Sequence, residues 1–330
     1  MTRSLFTQTE LPFLLVFNNK EEAAYYLNDM EQLVGEKDVL FYPASFRRPY
    51  QIEETDNANV LLRAEVLNRI NSRKKPAVIV TYPEALFEKV VTRKELDKNT
   101  LKVAVNDKIS IDFINEVLFE YEFKRVDFIT EPGEFSVRGG IVDVFSFSND
   151  NPYRIEFFGN EVESIRTFDV ATQLSIETKK KITIIPNVEN SFFQENRESF
   201  LDYISPQTVI FIQNTELLLA DLDKHFGKAE EAFAKLSQEI KRATPEQLFL
   251  NQASFIKRAL DFSVVEWGSK AIFKTLKTFP FHFQPQPSFN KQFDLLLNNL
   301  NENHFNGYKN YLFCSNDGQV KRFHDIFESL

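Results

Sequence analysis

A short run at Tyr153–Phe158 carries residue types that could bind a protein partner. Its β-branched and aromatic residues favour a strand, and the Gly159-Asn160 that follows is typical of a two-residue hairpin turn. Because side chains alternate along a strand, Arg154, Glu156 and Phe158 share one face. A cation, an anion and an aromatic side chain together are typical of a docking surface. The opposite, apolar face is expected to pack in a core: Tyr153, Ile155 and Phe157.

Chemistry on a nucleotide would need a phosphate loop, which the sequence lacks. The nine glycines never take the Gly-x-x-x-x-Gly-Lys-Ser/Thr spacing, whose clustered amides and lysine wrap phosphates. The apolar run 209–212 ends in Gln213-Asn214; if this run is the equivalent of a metal-holding strand, the carboxylates that Mg²⁺ needs are absent from it. These two residues could also simply cap the next helix. We therefore predict no nucleotide cofactor and no catalytic residue.

Metal and nucleophile chemistry are not predicted either. No histidine pairs with a cysteine or a second histidine at ligand spacing, and no Ser-His-Asp arrangement is recognisable. The single cysteine, Cys314, stands in an apolar run and is expected to be a buried thiol. We interpret four neighbouring carboxylates as residues of sheet rims and turns rather than as an acid–base pair: Asp127, Glu131, Glu134 and Asp143.

The composition excludes several classes of protein. A net charge of −9 and a pI near 5.2 argue against a strongly basic nucleic-acid stripe. One cysteine excludes an internal disulfide and fits the reducing cytoplasm, which is the predicted location. No apolar run approaches the roughly 20 residues that span a bilayer, so we expect no membrane partner.

Two longer patterns carry a family resemblance: EPGEFSVRGGIVDVF at 131–145 and YRIEFFGNEVESIRTFD at 153–169. They resemble the second domain of the UvrB family of nucleotide excision repair. They are most similar to the N-terminal UvrB-like module of the bacterial transcription-repair coupling factors. In both families this domain docks onto UvrA, so the resemblance implies UvrA as the partner and no ATP turnover by this module.

The order of elements predicts an α/β fold with an insert. Residues 11–90 alternate apolar strands with amphipathic helices, which favours a parallel sheet covered on both faces. We predict three parts, residues 1–100, 101–187 and 188–330. The first and third form a degenerate RecA-like, P-loop-like parallel-sheet body, and the second is a small α+β insert similar to the second UvrB domain.

Individual elements can also be predicted. A helix is expected over 110–123, with Ser110 as its N-cap, and another over 245–260. The run 135–145 is expected to be the first strand of a three-stranded meander. Strand-like runs are further predicted at 271–283 and 311–314.

The resemblance carries the UvrA site onto three positions. Arg138 precedes the glycine pair, Arg154 opens the Arg-x-Glu-Phe-Phe strand, and Phe158 is the second phenylalanine of that strand. Glu156 and Arg166 are possible rim residues. Phe158 could instead be a core residue. The two arginines could instead form cross-strand pairs with Glu156 or Glu163.

We therefore expect a module that recruits UvrA and has no ATPase activity of its own. RNA polymerase and DNA would be bound by domains C-terminal to this chain, including an ATP-driven DNA translocase, as the resemblance implies. The alternatives are a UvrB-type ATP-dependent helicase subunit that binds damaged DNA, or a non-catalytic nucleic-acid-binding domain. Phe46-Arg47-Arg48-Pro49-Tyr50 could contact a phosphate backbone or be a structural loop.

Overall fold

The computed structural model describes residues 2–45, 57–72, 75–187, 197–235, 243–268, 271–274, 277–281, 284–290 and 292–329. The chain separates into two compact units, residues 1–274 and residues 275–330. Helices and strands are numbered along the chain. Among the described residues, none of the helices combines the length and the apolar character that a bilayer-spanning segment requires.

The core of the first unit is a five-stranded parallel sheet. Its strands are β1 (Phe13–Val16), β2 (Val39–Phe41), β3 (Val78–Thr81), β14 (Val209–Ile212) and β15 (Ser263–Glu266). They lie in the order β15-β14-β1-β3-β2, so β1 stands at the centre. All four residues of β1 are buried, because such a sheet is covered on both faces. The predicted α/β class with a parallel sheet is confirmed, and the sheet takes strands from both sides of the insert.

The described residues of the first unit also form helices, both in the body and in the insert. They are α1 (Thr2–Thr9), α2 (Lys20–Val34), α3 (Asn57–Ser72), α4 (Pro83–Phe87), α5 (Arg93–Lys98), α6 (Ile111–Glu120), α7 (Phe200–Tyr203), α8 (Thr215–Ala234), α9 (Pro245–Leu248) and α10 (Gln252–Ala259). A 3₁₀ turn at Glu36–Asp38 follows α2. Helix α2 begins where the Asn19 side chain accepts from the Glu22 amide, and it ends at Gly35, whose φ is 110°.

The insert is built on a second sheet of six strands. They are β6 (Lys124–Arg125), β7 (Glu134–Arg138), β8 (Ile141–Val144), β9 (Tyr153–Phe158), β10 (Glu161–Phe168) and β11 (Ser175–Thr178). Their spatial order follows the sequence, and every neighbouring pair is antiparallel except β6–β7. Helix α6 packs against this sheet through an edge-to-face contact between Phe119 and Phe135, with ring centroids 5.2 Å apart.

Two short antiparallel pairs join the ends of the insert. Strand β5 (Leu101–Ala104) pairs with β12 (Lys181–Ile184), which places the first and last segments of the insert side by side. Next to the body, β4 (Val90–Val91) pairs with β13 (Arg197–Glu198). An inserted domain needs its two connections close together, and these pairs provide that. The division into residues 1–100, 101–187 and 188–330 stays a prediction.

Several element predictions were wrong in detail. The run 135–145 is not one strand but the β7–β8 hairpin, which turns at Gly139-Gly140, so the predicted meander has an additional strand. The helix expected over 245–260 is divided into α9 and α10. The described residues within 271–283 and at 311–314 form no strand. The described residues of the second unit form two helices, α11 (Phe293–Phe305) and α12 (Asp317–Ser329).

Candidate functional site

Strand β9 shows the alternation that its sequence predicts. Tyr153, Ile155 and Phe157 are buried, whereas the residues between them face outward. We call the side of the six-stranded sheet that carries Arg154 and Phe158 its outer face. The buried set holds β9 in the core, and Arg154, Glu156 and Phe158 lie on the outer face.

Phe158 lies at the end of β9, beside two tight turns. The first is the Gly159-Asn160 hairpin, where Gly159 has a φ of 63°. The second is the Gly139-Gly140 turn, whose Gly140 carbonyl accepts a 2.8 Å hydrogen bond from the Phe157 amide. A Cβ on Gly140 would stand 3.0 Å from the Phe157 carbonyl oxygen, so the close approach favours glycine. Phe158 itself is 81% exposed, so the interpretation of this residue as part of the core is wrong.

The two arginines of the candidate site converge on one buried carboxylate. Arg154 donates from Nε to Asp143 Oδ1 at 2.7 Å and from Nη2 to Asp143 Oδ2 at 2.8 Å. Arg138 Nη2 donates to the same Oδ2 from the neighbouring strand. Asp143 is 1% exposed, and it lies across the β8–β9 ladder from Arg154. The hydrogen bonds from Arg154 to Asp143 raise the pKa of the arginine above its usual value.

The Arg154 side chain also contacts Phe168 and Gln173. Its guanidinium carbon lies 4.2 Å from the centroid of the Phe168 ring, and its Nη2 also donates to Gln173 Oε1 at 3.1 Å. Phe168 packs with Ile129 and Phe145 in a small apolar cluster separate from the main core. The side chain of Arg154 is therefore only 13% exposed, against 40% for Arg138. Of the two, Arg138 is the more accessible to a partner.

The possible rim residues Glu156 and Arg166 form their own pair. Arg166 donates from both terminal nitrogens to the Glu156 carboxylate, with a 3.1 Å contact from Nη1 to Oε2. Ser164 Oγ also donates to Glu156 Oε2, at 2.5 Å. The hydrogen bond from Ser164, followed by the one from Arg166, lowers the pKa of Glu156. The Glu156 carboxylate therefore stays ionised at neutral pH.

The sequence pattern missed the partners of these arginines. Glu156 and Glu163 were the expected cross-strand acceptors, but Asp143 takes that role, and its interpretation as a rim or turn residue was wrong. The pattern also gave no role to Phe128, whose ring lies 5.3 Å from the Arg138 guanidinium carbon. Arg154→Ala would leave the buried Asp143 carboxylate without its two hydrogen bonds from Arg154. We therefore expect this substitution to destabilise the insert, which the sequence alone did not indicate.

The carboxyl edge of the parallel sheet is the place where a RecA-like body would hold a nucleotide. Asn214 follows β14, and its side chain accepts from the Leu217 amide at 3.1 Å, so it caps α8 as one interpretation of the sequence expected. Glu266 ends β15 and was not singled out by the sequence. Its carboxylate accepts from the Thr215 hydroxyl and from two backbone amides, at Ile272 and Phe273. The Glu266 carboxylate thus already accepts hydrogen bonds from donors of the protein itself.

The histidines, Cys314 and the segment Phe46–Tyr50 were also considered from the sequence. His225 Nε2 lies 3.7 Å from Glu84 Oε1, and within the described ranges no group of three histidine, cysteine or carboxylate side chains could hold a metal ion. Cys314 is half-buried rather than fully buried. The segment Phe46–Tyr50 lies outside the described residues, so the two alternatives for it, contact with a phosphate backbone or a structural loop, both stay open.

The segment that forms the sheet of the insert matches a known family of domains. Residues 101–189 match the model of the UvrB interaction domain. The match begins at β5 and extends past β12, the two strands that pair at the ends of the insert.

Relatives that match more than half of this chain point the same way. A transcription-repair-coupling factor of Bacillus subtilis is 33% identical over 57% of this chain, and the match covers 16% of that protein. The corresponding protein of Rickettsia bellii is 30% identical over 60% of this chain and 18% of its own length. One from Staphylococcus aureus is 29% identical over 56% of this chain and 16% of its own length. The resemblance to the transcription-repair coupling factors is confirmed, and the matched part spans less than a fifth of each relative.

The contact between Asp143 and its arginines can be tested by Asp143→Asn, which keeps the size of the side chain and removes its charge. Arg154 would be left almost buried without its counter-ion, so we expect a loss of about 3 kcal/mol in the free energy of unfolding of the insert. Urea unfolding followed by circular dichroism measures it. Asp127→Asn is the matched control, because Asp127 is exposed. Equal stability of both variants and the parent would contradict the role of Asp143.

Proposed function

We propose that this chain is the N-terminal UvrB-like module of a transcription-repair coupling factor, and that its insert recruits UvrA. The observation that carries the proposal is the exposure of Phe158 and Arg138 on the outer face of a sheet that matches the UvrB interaction domain. Exposed aromatic and arginine side chains on a rigid sheet are typical of binding hot spots. Recruitment would bring the excision-repair machinery to a stalled transcription complex in the cytoplasm.

The wider assignment rests on the relatives, which are named transcription-repair-coupling factors. In the whole protein we propose that RNA polymerase and DNA are partners of other domains, and that an ATP-driven translocase supplies the enzymatic activity. This module contributes binding. The charge of −9 supports a protein partner over a DNA backbone, since a nucleic-acid surface is normally basic.

We further propose that the parallel-sheet body neither binds nor hydrolyses ATP. The connection from β1 to α2 is Phe17–Asn19, which contains no glycine and gives its last side chain to the helix cap. Asn214 is used in the same way after β14. Asn19 and Asn214 thus cap helices at the two positions that, by analogy with a P-loop fold, would hold phosphate and metal.

The UvrA proposal predicts the effect of Phe158→Ala. Loss of an aromatic hot spot typically costs about 2 kcal/mol, so affinity for UvrA should fall roughly thirtyfold. The melting temperature should stay unchanged, because Phe158 is exposed. Surface plasmon resonance with immobilised UvrA measures the affinity. Phe313→Ala is the matched control, since Phe313 is a 96% exposed phenylalanine of the second unit. If both variants bind UvrA like the parent, the proposed surface is wrong.

The ATP proposal predicts no heat of binding when ATP and Mg²⁺ are titrated into the chain in a calorimeter. The absent phosphate loop is the physical reason. The same preparation should bind UvrA, which serves as the control for a folded sample. Micromolar ATP affinity would instead support an ATP-dependent UvrB-type subunit.

A further inference from the structure

Arg138 stands between an aromatic ring and a carboxylate. Its guanidinium carbon lies 5.3 Å from the centroid of the Phe128 ring, and its Nη2 donates to the buried Asp143. Within the described part of the chain, Asp143 is the only hydrogen-bond acceptor of this guanidinium. The Phe128 ring therefore covers one face of the guanidinium, and Asp143 accepts a hydrogen bond from one of its edges. The rest of its planar fork of donors is accessible from solvent.

Phe128 is exposed because its two neighbours are fixed. The carbonyl of Asp127 accepts a 3.1 Å hydrogen bond from Ser136 Oγ, and Ile129 is buried in the small apolar cluster with Phe145 and Phe168. Between these two anchors, the Phe128 side chain is directed outward beside Arg138, and it is 67% exposed. Core packing gives no reason for an aromatic residue at this position.

We propose that Phe128 is a positioning residue for UvrA docking, which acts by holding Arg138 in the orientation that binds a carboxylate. The inference rests on the proposed function and deepens it. Arginine binds carboxylates through two parallel hydrogen bonds only when its plane is correctly oriented, and a stacked aromatic ring restricts that plane. The complementary group on the partner is an aspartate or glutamate side chain that binds the Arg138 guanidinium.

The Phe128–Arg138 pair lies close to Phe158 on the outer face. Arg138 lies opposite Ile141, which in turn lies opposite Glu156 on β9. From strand spacings, Arg138 and Phe158 are then roughly 12 Å apart on the sheet, which is well within one interface.

A double-mutant cycle separates positioning from direct contact. Dissociation constants for UvrA are measured for the parent, Phe128→Ala, Arg138→Ala and the double variant. We expect Phe128→Ala to weaken binding about fivefold in the parent and to change nothing measurable when Arg138 is already alanine. Arg138→Lys should not restore the parent affinity, because an ammonium lacks the planar fork. An equal loss in both backgrounds would overturn the positioning role.

The matched control is Leu174→Ala. Leu174 is 69% exposed on the same domain, so it tests whether any exposed apolar residue matters equally. We expect parent affinity from Leu174→Ala and unchanged melting temperatures for both variants. If Leu174→Ala weakens binding as much as Phe128→Ala does, the specific role of Phe128 is overturned.

A second readout does not depend on UvrA. The heteronuclear NOE of the Arg138 side-chain Nε–H reports its mobility by NMR, and we expect it to fall clearly in Phe128→Ala and to stay unchanged in Leu174→Ala. An unchanged value in Phe128→Ala overturns the inference while the proposed function stands. Failure of the parent chain to bind UvrA overturns the proposed function, and the docking role of Phe128 with it.

Discussion

The outer face of the insert depends on one carboxylate, Asp143, which lies beneath two arginines. A buried ionised group is costly unless it is paired and hydrogen-bonded, and Arg154 supplies both through two short contacts. Because the same carboxylate also accepts from Arg138, strands β7, β8 and β9 are joined on this face by charge as well as by their backbone ladders. The arrangement orders two long side chains before any partner arrives, which reduces the entropy that binding would cost.

This face belongs to the six-stranded sheet, and the sheet that would carry nucleotide chemistry is a different, parallel one. Strand β5 pairs with β12, so the insert leaves and rejoins the chain at one point. In the body, the residues at the carboxyl edge of the parallel sheet cap helices or accept backbone amides. The division of roles that we propose, a body without ATP chemistry and an insert that binds UvrA, follows from these two placements.

The sequence predicted those features that depend on local pattern. The alternation along Tyr153–Phe158 and the Gly159-Asn160 turn were sufficient to predict the β9–β10 hairpin and its outward residues. The sequence pattern did not predict the Gly139-Gly140 turn, because the apolar residues on both sides of it favour a single continuous strand. The role of Asp143 could not be predicted, since it depends on the register between β8 and β9, and the loop between these strands does not reveal that register. Local apolar runs such as 311–314 form no strand, because strand formation needs a neighbouring strand that the pattern does not specify.

Hydrogen–deuterium exchange of the intact chain, with and without UvrA, tests the central claim most directly because it alters no residue. The account predicts slower exchange in the presence of UvrA at the Gly139-Gly140 and Gly159-Asn160 turns and in the segment around Phe128. Exchange in peptides of the parallel sheet, such as β14, should stay the same. Slower exchange confined to the body, with the turns of the insert unaffected, would contradict the account.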